Sequence, residues 1–153
     1  MSAVEARLNE MGLTIPSPVA PVATYVPFVK SQGLLHISGQ ISVGPDGLVT
    51  GRVGKDVSLA EAQAAARLCA LNLLAQMKVA LDGEFERVKQ VVKLGGFVNA
   101  DPDFYDIPKV INGASDLFGA VLGDAGRHAR SAVGVAVLPL NAAVEIDAIV
   151  EIG

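Results

Sequence analysis

The sequence predicts a single α+β domain over residues 1–153, with a helical appendage at residues 1–21, and three observations carry that prediction. Its 153 residues suit one sizeable core. Stretches with apolar residues at three- and four-residue spacing are interleaved with stretches of strict alternation, so helices and strands share one chain. Hydrophobic residues make up 51% but aromatics only 5%, with no Trp. The core is therefore built from Val, Leu, Ile and Ala, which favours thin layers of helix on a mixed sheet.

The elements follow in order. Val4, Leu8 and Met11 share one face of a short helix that Gly12 ends. Pro16, Pro18 and Pro21 then impose an extended connector, because each fixes its own φ and biases its predecessor away from helix. Ala23–Ser31 reads as a strand, with Pro27 marking an edge or a bulge. Gly33–Ile41 is the next strand, and Gln32-Gly33 turns between them. Pro45-Asp46-Gly47 signals another turn, after which Leu48 and Val49 start a short strand. Ser58-Leu59-Ala60-Glu61 has the form of a capping box. The helix it opens runs to about Leu81, with Ala62, Ala66, Cys69, Leu73, Met77 and Ala80 as its apolar stripe and Asp82-Gly83 as its stop. A strand over Val88–Val98, a helix over Phe104–Leu122 stopped by Gly123, and strands over Arg130–Leu138 and Ala143–Ile152 complete the chain. Two helices thus cover one face of a mixed sheet.

Charge narrows the function classes. Charged residues are 18% and the net charge is −4. No Lys/Arg cluster is present to neutralise phosphates, which argues against nucleic acid. So few charges on a small domain imply apolar surface buried against further copies of the chain. No secretory pattern and no apolar run of membrane-spanning length is visible, so a cytoplasmic location without membrane partners is expected. His36, His128 and the lone Cys69 offer no metal-ligand spacing, and Cys69 lies in a core-like helix. The glycine-rich phosphate loop, the dinucleotide fingerprint and the nucleophile elbow are all missing. No metal and no cofactor is expected.

Arg130-Ser131-Ala132-Val133-Gly134-Val135-Ala136-Val137 is the stretch with most chemical content. Alternation puts Val133, Val135 and Val137 on one face and Arg130, Ala132, Gly134 and Ala136 on the other. Three tiny residues beside one long cation leave space for a covering helix, a neighbouring subunit or a ligand. Glu145 and Asp147 alternate with apolar residues on the last strand, as solvated charges on an outer edge do. Tyr25 and Ser38 belong to strands, Asn112 to the second helix. Gly39 and the pair Gly95-Gly96 suggest a bulge or a close backbone approach.

Together these segments resemble the Rid family (YjgF-like proteins, also labelled endoribonuclease L-PSP), across nearly the whole chain after residue 22. Ala129-Arg130-Ser131-Ala132-Val133-Gly134-Val135 through Leu138-Pro139, followed by Val144-Glu145-Ile146-Asp147-Ala148, is similar to the family's A-R-S-x-V-x-V-x-x-L-P segment and terminal I-E-I-E-A strand. Tyr25 with Ile37-Ser38-Gly39-Gln40-Ile41, and Asn112 in the second helix, match further blocks. The resemblance implies a chorismate-mutase-like fold, a homotrimer with clefts between subunits, and an arginine gripping the carboxylate of a small-molecule ligand. It implies hydrolysis of 2-imino (enamine) acids to 2-oxo acids and ammonia. Arg130 and Glu145 would be catalytic, and Tyr25, Ser38, Gly39, Asn112 and Ala132 would line the substrate. Ala132 departs from the family's frequent cysteine, and His128 from its usual proline. A binding or sensing module for 2-oxo acid-like metabolites on the same fold is the alternative of a different class. Glu145 favours catalysis over it, because binding a carboxylate needs no second acid.

Overall fold

Residues 1–21 and 23–153 are described by a computed structural model. Its first helix, α1 (Ala3–Glu10), opens on a capping box: the Ser2 hydroxyl accepts from the Glu5 amide at 3.1 Å and the Glu5 carboxylate accepts from the Ser2 amide at 2.9 Å. The second helix, α2 (Leu59–Ala80), is capped one way only. Ser58 accepts from the Glu61 amide, but the exposed Glu61 carboxylate does not return the bond. The reciprocal box expected at Ser58 thus forms at Ser2.

The main sheet has five strands in the order β1 (Phe28–Ser31), β2 (Leu34–Ile41), β7 (Val144–Ile152), β5 (Val88–Asn99) and β6 (Ala129–Val135). All neighbours are antiparallel except β5 and β6, which run parallel because α3 (Ile107–Leu122) crosses between them. Gln32 and Gly33 turn β1 into β2 with φ of 52° and 76°, the paired left-handed geometry of a tight hairpin. Val43–Gly44 (β3) and Gly47–Leu48 (β4) form a separate small ribbon.

The α+β class and the placement of the helices agree with expectation. Leu35 and Ile37 of β2, Val144, Ile146, Ala148 and Val150 of β7, and Leu94 and Val98 of β5 are buried in one core with α2 and α3. Val4 and Leu8 of α1 join that core, while Met11, past the last turn, stays 44% exposed. Arg7 of α1 donates to the Val121 carbonyl at the end of α3. Apolar burial on α2 is broader than one stripe: Cys69 through Met77 are all buried, because α3 and the extended segment after α1 flank the helix while the sheet lies beneath.

Three boundaries move, each for a backbone reason. The strand expected from Ala23 starts at Phe28, since Pro27 has no N–H to donate and Ala23–Tyr25 bend instead. Tyr25 therefore sits on a strap outside the sheet. α3 begins at Ile107, not Phe104, with Pro108 in its first turn, where the missing N–H costs no intrahelical bond. β6 ends at Val135, opposite the last residue of β5, and the Ala136 carbonyl turns to accept from Arg52. Most consequentially, the last strand is central and not an edge, so Glu145 and Asp147 are half-buried.

Among the described residues, no helix is long and apolar enough to cross a membrane.

Candidate functional site

The sheet separates the expected site residues into two groups. Arg130 is in register with Leu94, which in turn pairs with Ala148; both neighbours point into the helix-covered face. Arg130 reaches the same face and bonds to α3, donating through Nη1 to the Ser115 hydroxyl and through Nη2 to the Pro108 carbonyl, each at 3.0 Å. Pro108, Asn112 and Ser115 follow one another at helical spacing, so exposed Asn112 lies on the strip that Arg130 grips. Ala132 is two residues along β6 on the same face, and a Cβ on Gly134 would stand only 3.3 Å from Ile107. Ile107 of α3 thus approaches these small residues, while Gly134 and Ala136 stay exposed. Arg130, Asn112 and Ala132 form the first half-site.

His128 fixes the orientation of this group. Its Nδ1 lies 2.7 Å from the Gly126 carbonyl, which only accepts, so Nδ1 carries a proton. Nε2 lies 2.8 Å from the Ser115 hydroxyl, whose oxygen also accepts from Arg130. Phe118 meets the imidazole edge-on at 6.3 Å. Sequence reasoning missed Ser115 and Pro108, although both share a helical face with Asn112. His128 was noticed only as a departure, although two residues before Arg130 is the same side of an extended chain.

The second half-site is on the opposite face. Glu145 shares a cross-strand row with Phe97 and Val133, pointing away from both helices. Between Ile37 and Gln40, β2 advances three residues while β7 advances two, from Ala148 to Ile146. This is the expected bulge, and it turns Gly39 toward Glu145, where a Cβ would sit 2.6 Å from Oε2. Tyr25, Ser38, Gly39 and Glu145 line one cavity of about 300 Å³ with the strap and with Pro139 and Leu140. Burial first, then the negative charge of Asp147, raises the Glu145 carboxyl above its ordinary value. Burial likewise raises Asp147, whose carboxylate lies against the bare backbone of Gly95.

Arg130 and Glu145 do not meet within one chain. One strand lies between theirs, and three residues of register separate their rows, so their backbones are roughly 14 Å apart, with side chains on opposite faces. What one chain offers is a guanidinium held by α3 on one side and a half-buried carboxylate in an apolar cavity on the other. Cys69 is wholly buried, its thiol pushed well up by desolvation, and it belongs to the core. No cluster of three or more metal-binding side chains occurs among the described residues.

Comparison with known proteins places these residues in context. Residues 5–152 match the family model described as "YjgF/chorismate mutase-like, putative endoribonuclease". Protein TCP17 of Trypanosoma cruzi is 50% identical over 153 residues, covering 97% of this chain and 94% of its own. A 2-iminobutanoate/2-iminopropanoate deaminase of Dermatophagoides farinae is 32% identical over 142 residues, covering 90% and 94%. The crystal structure of Atu1372 from Agrobacterium tumefaciens superposes with a TM-score of 0.93 at 53% identity, covering 99% of this chain and 93% of that one.

Proposed function

The chain belongs to the YjgF/chorismate mutase-like family, and on that premise we propose that it hydrolyses 2-imino acids to 2-oxo acids and ammonium, in clefts between the copies of a homotrimer. The carrying observation is the opposition of two complementary half-sites, Arg130 with Asn112 on one face and Glu145 with Tyr25, Ser38 and Gly39 on the other. The deaminase relative from Dermatophagoides farinae supports the reaction class. The sheet face bearing Glu145 supports assembly: Val29 and Val133 are 51% and 46% exposed there, beside half-buried Phe97 and Ile149.

In this reading Arg130 of one copy takes the substrate carboxylate through its planar fork, already oriented by α3. The iminium carbon lies toward Glu145 of the next copy. A water held by Glu145 gives it one proton as the water oxygen bonds to that carbon, and the C=N pair moves onto nitrogen. Protonated Glu145 returns that proton to the nitrogen of the resulting carbinolamine. The C–N bond then breaks to release ammonia, and the hydroxyl proton passes through Glu145 to that ammonia, so that one iminium acid and one water leave as one 2-oxo acid and one ammonium. A carboxyl held above its ordinary range suits both directions of transfer. The substrate is already electrophilic, and positioning supplies the main acceleration.

The test is the decay of an imine generated in situ by an amino-acid oxidase. Wild-type protein accelerates 2-oxo acid and ammonia release above the buffer rate, and Arg130→Ala and Glu145→Gln do not. Binding of a 2-oxo acid without acceleration of imine decay would sink the catalytic assignment and leave the binding module.

A further inference from the structure

The cavity beside Glu145 also bears on which imino acids enter, an inference that rests on the deaminase reading. Its volume of about 300 Å³ is roughly the liquid share of ten waters. A substrate with a methyl or ethyl side chain leaves most of that space filled with water. The walls are apolar: Val19, Ala20 and Pro21 from the strap, Ile41 and Val43 from the strand side, and Leu140 at the rim.

Two of the polar lining side chains, Ser38 and Gln40, are already engaged. The Ser38 hydroxyl donates to the Val26 carbonyl at 2.7 Å, and the Gln40 amide donates to the Ser38 carbonyl at 2.9 Å. Glu145 is the only charged side chain among the described lining residues, and it is negative. A second carboxylate placed here would face the negative Glu145 and lose its water among mostly apolar walls.

Two features show that this chamber is built into the fold. Buried Gln76 of α2 donates to the Val19 carbonyl at 3.1 Å and so pins the strap. Leu140 occupies a left-handed conformation, φ 58° and ψ 20°, that leaves its side chain 65% exposed at the cavity mouth. The next residue, Asn141, holds that turn by accepting at 3.1 Å from buried Asn99. An apolar residue kept in an unfavourable backbone state at a pocket rim is the kind of strain that accompanies a ligand contact.

We propose that the chain selects 2-imino acids with large apolar side chains, of four or more carbons, and that the strap and Leu140 enclose that side chain. Each buried methylene contributes about fourfold to kcat/KM. The leucine-derived imine is therefore turned over with kcat/KM at least about tenfold above the alanine-derived imine.

The experiment measures this ratio for wild type, Leu140→Gly and Ala20→Leu. Leu140→Gly removes the rim contact and relieves the backbone, so the ratio falls severalfold while the thermal midpoint holds. Ala20→Leu fills the chamber, and the ratio falls with it. A wild-type ratio near one, or ratios unmoved in both variants, overturns the proposal and leaves the deaminase reading intact. If no imine decays above the buffer rate, the deaminase reading fails, and calorimetry then judges the chamber alone. Tighter binding of 4-methyl-2-oxopentanoate than of pyruvate, by about tenfold, upholds it, and equal affinities overturn it.

Discussion

Arg130 is held by two bonds to α3 before any ligand arrives, and one of them passes through Ser115 to His128. Arg130→Ala is expected to weaken binding of a 2-oxo acid by about a hundredfold, the cost of losing one partner of a desolvated charge pair. Arg130→Lys recovers little of this, because an ammonium lacks the planar fork. Ser115→Ala keeps the charge but frees it from its anchor, and calorimetry is expected to show a loss of about tenfold. In the proposed reaction Glu145 sets the pH dependence. As the base it must be ionised, so kcat/KM falls as pH drops through its raised pKa, on an acid limb above the ordinary carboxylate range. Asp147→Asn removes the neighbouring negative charge, and the limb moves to lower pH. An unmoved limb would show that another group controls the profile.

At the scale of elements, two close approaches position the site. The bulge in β2 brings Gly39 against Glu145, while α2 and α3 meet where a Cβ on Gly113 would stand 2.1 Å from the Gln63 carbonyl oxygen. That neighbour is backbone and cannot rotate away. Gly113→Ala therefore forces α3 outward, at a cost of about 1–3 kcal/mol, and lowers the thermal midpoint by roughly 3–10 °C. Since α3 carries Pro108, Asn112 and Ser115, ligand affinity falls with it. A variant of wild-type stability and wild-type affinity would show that the helix contact does not set the Arg130 half-site. The central position of β7 is equally consequential. A last strand on the edge would leave Glu145 solvated, whereas between β2 and β5 it loses water and its carboxyl is held above its ordinary value.

At the scale of the whole molecule, the opposed half-sites predict complementation. Arg130→Ala and Glu145→Gln proteins are each expected to be inactive. Dissociated together and allowed to reassemble at equal concentration, they form clefts with both native residues, and about a quarter of wild-type activity returns. A mixture that stays inactive, with mixed assembly verified by mass, would mean that each cleft draws both residues from one copy. Sedimentation tests the assembly itself: a stable monomer at micromolar concentration would remove the proposed site.

The sequence by itself determined the class of the fold, the two long helices and most of the strands, because hydrophobic period is a local property and the caps and turns at Gln32-Gly33 and Asp82-Gly83 are local chemistry. It also named both halves of the candidate site, through the arginine and glutamate segments and the bulge at Gly39. Period could not decide strand order, and so Glu145 read as an edge charge. Nor could it find the Ser115 and His128 anchor or the strap over the cavity, where residues far apart in the chain meet only after the sheet has formed. Which face each half-site occupies follows from cross-strand register, which is fixed when β7 enters between β2 and β5. Alternation tells which residues share a face, but only packing against α2 and α3 decides which face is covered.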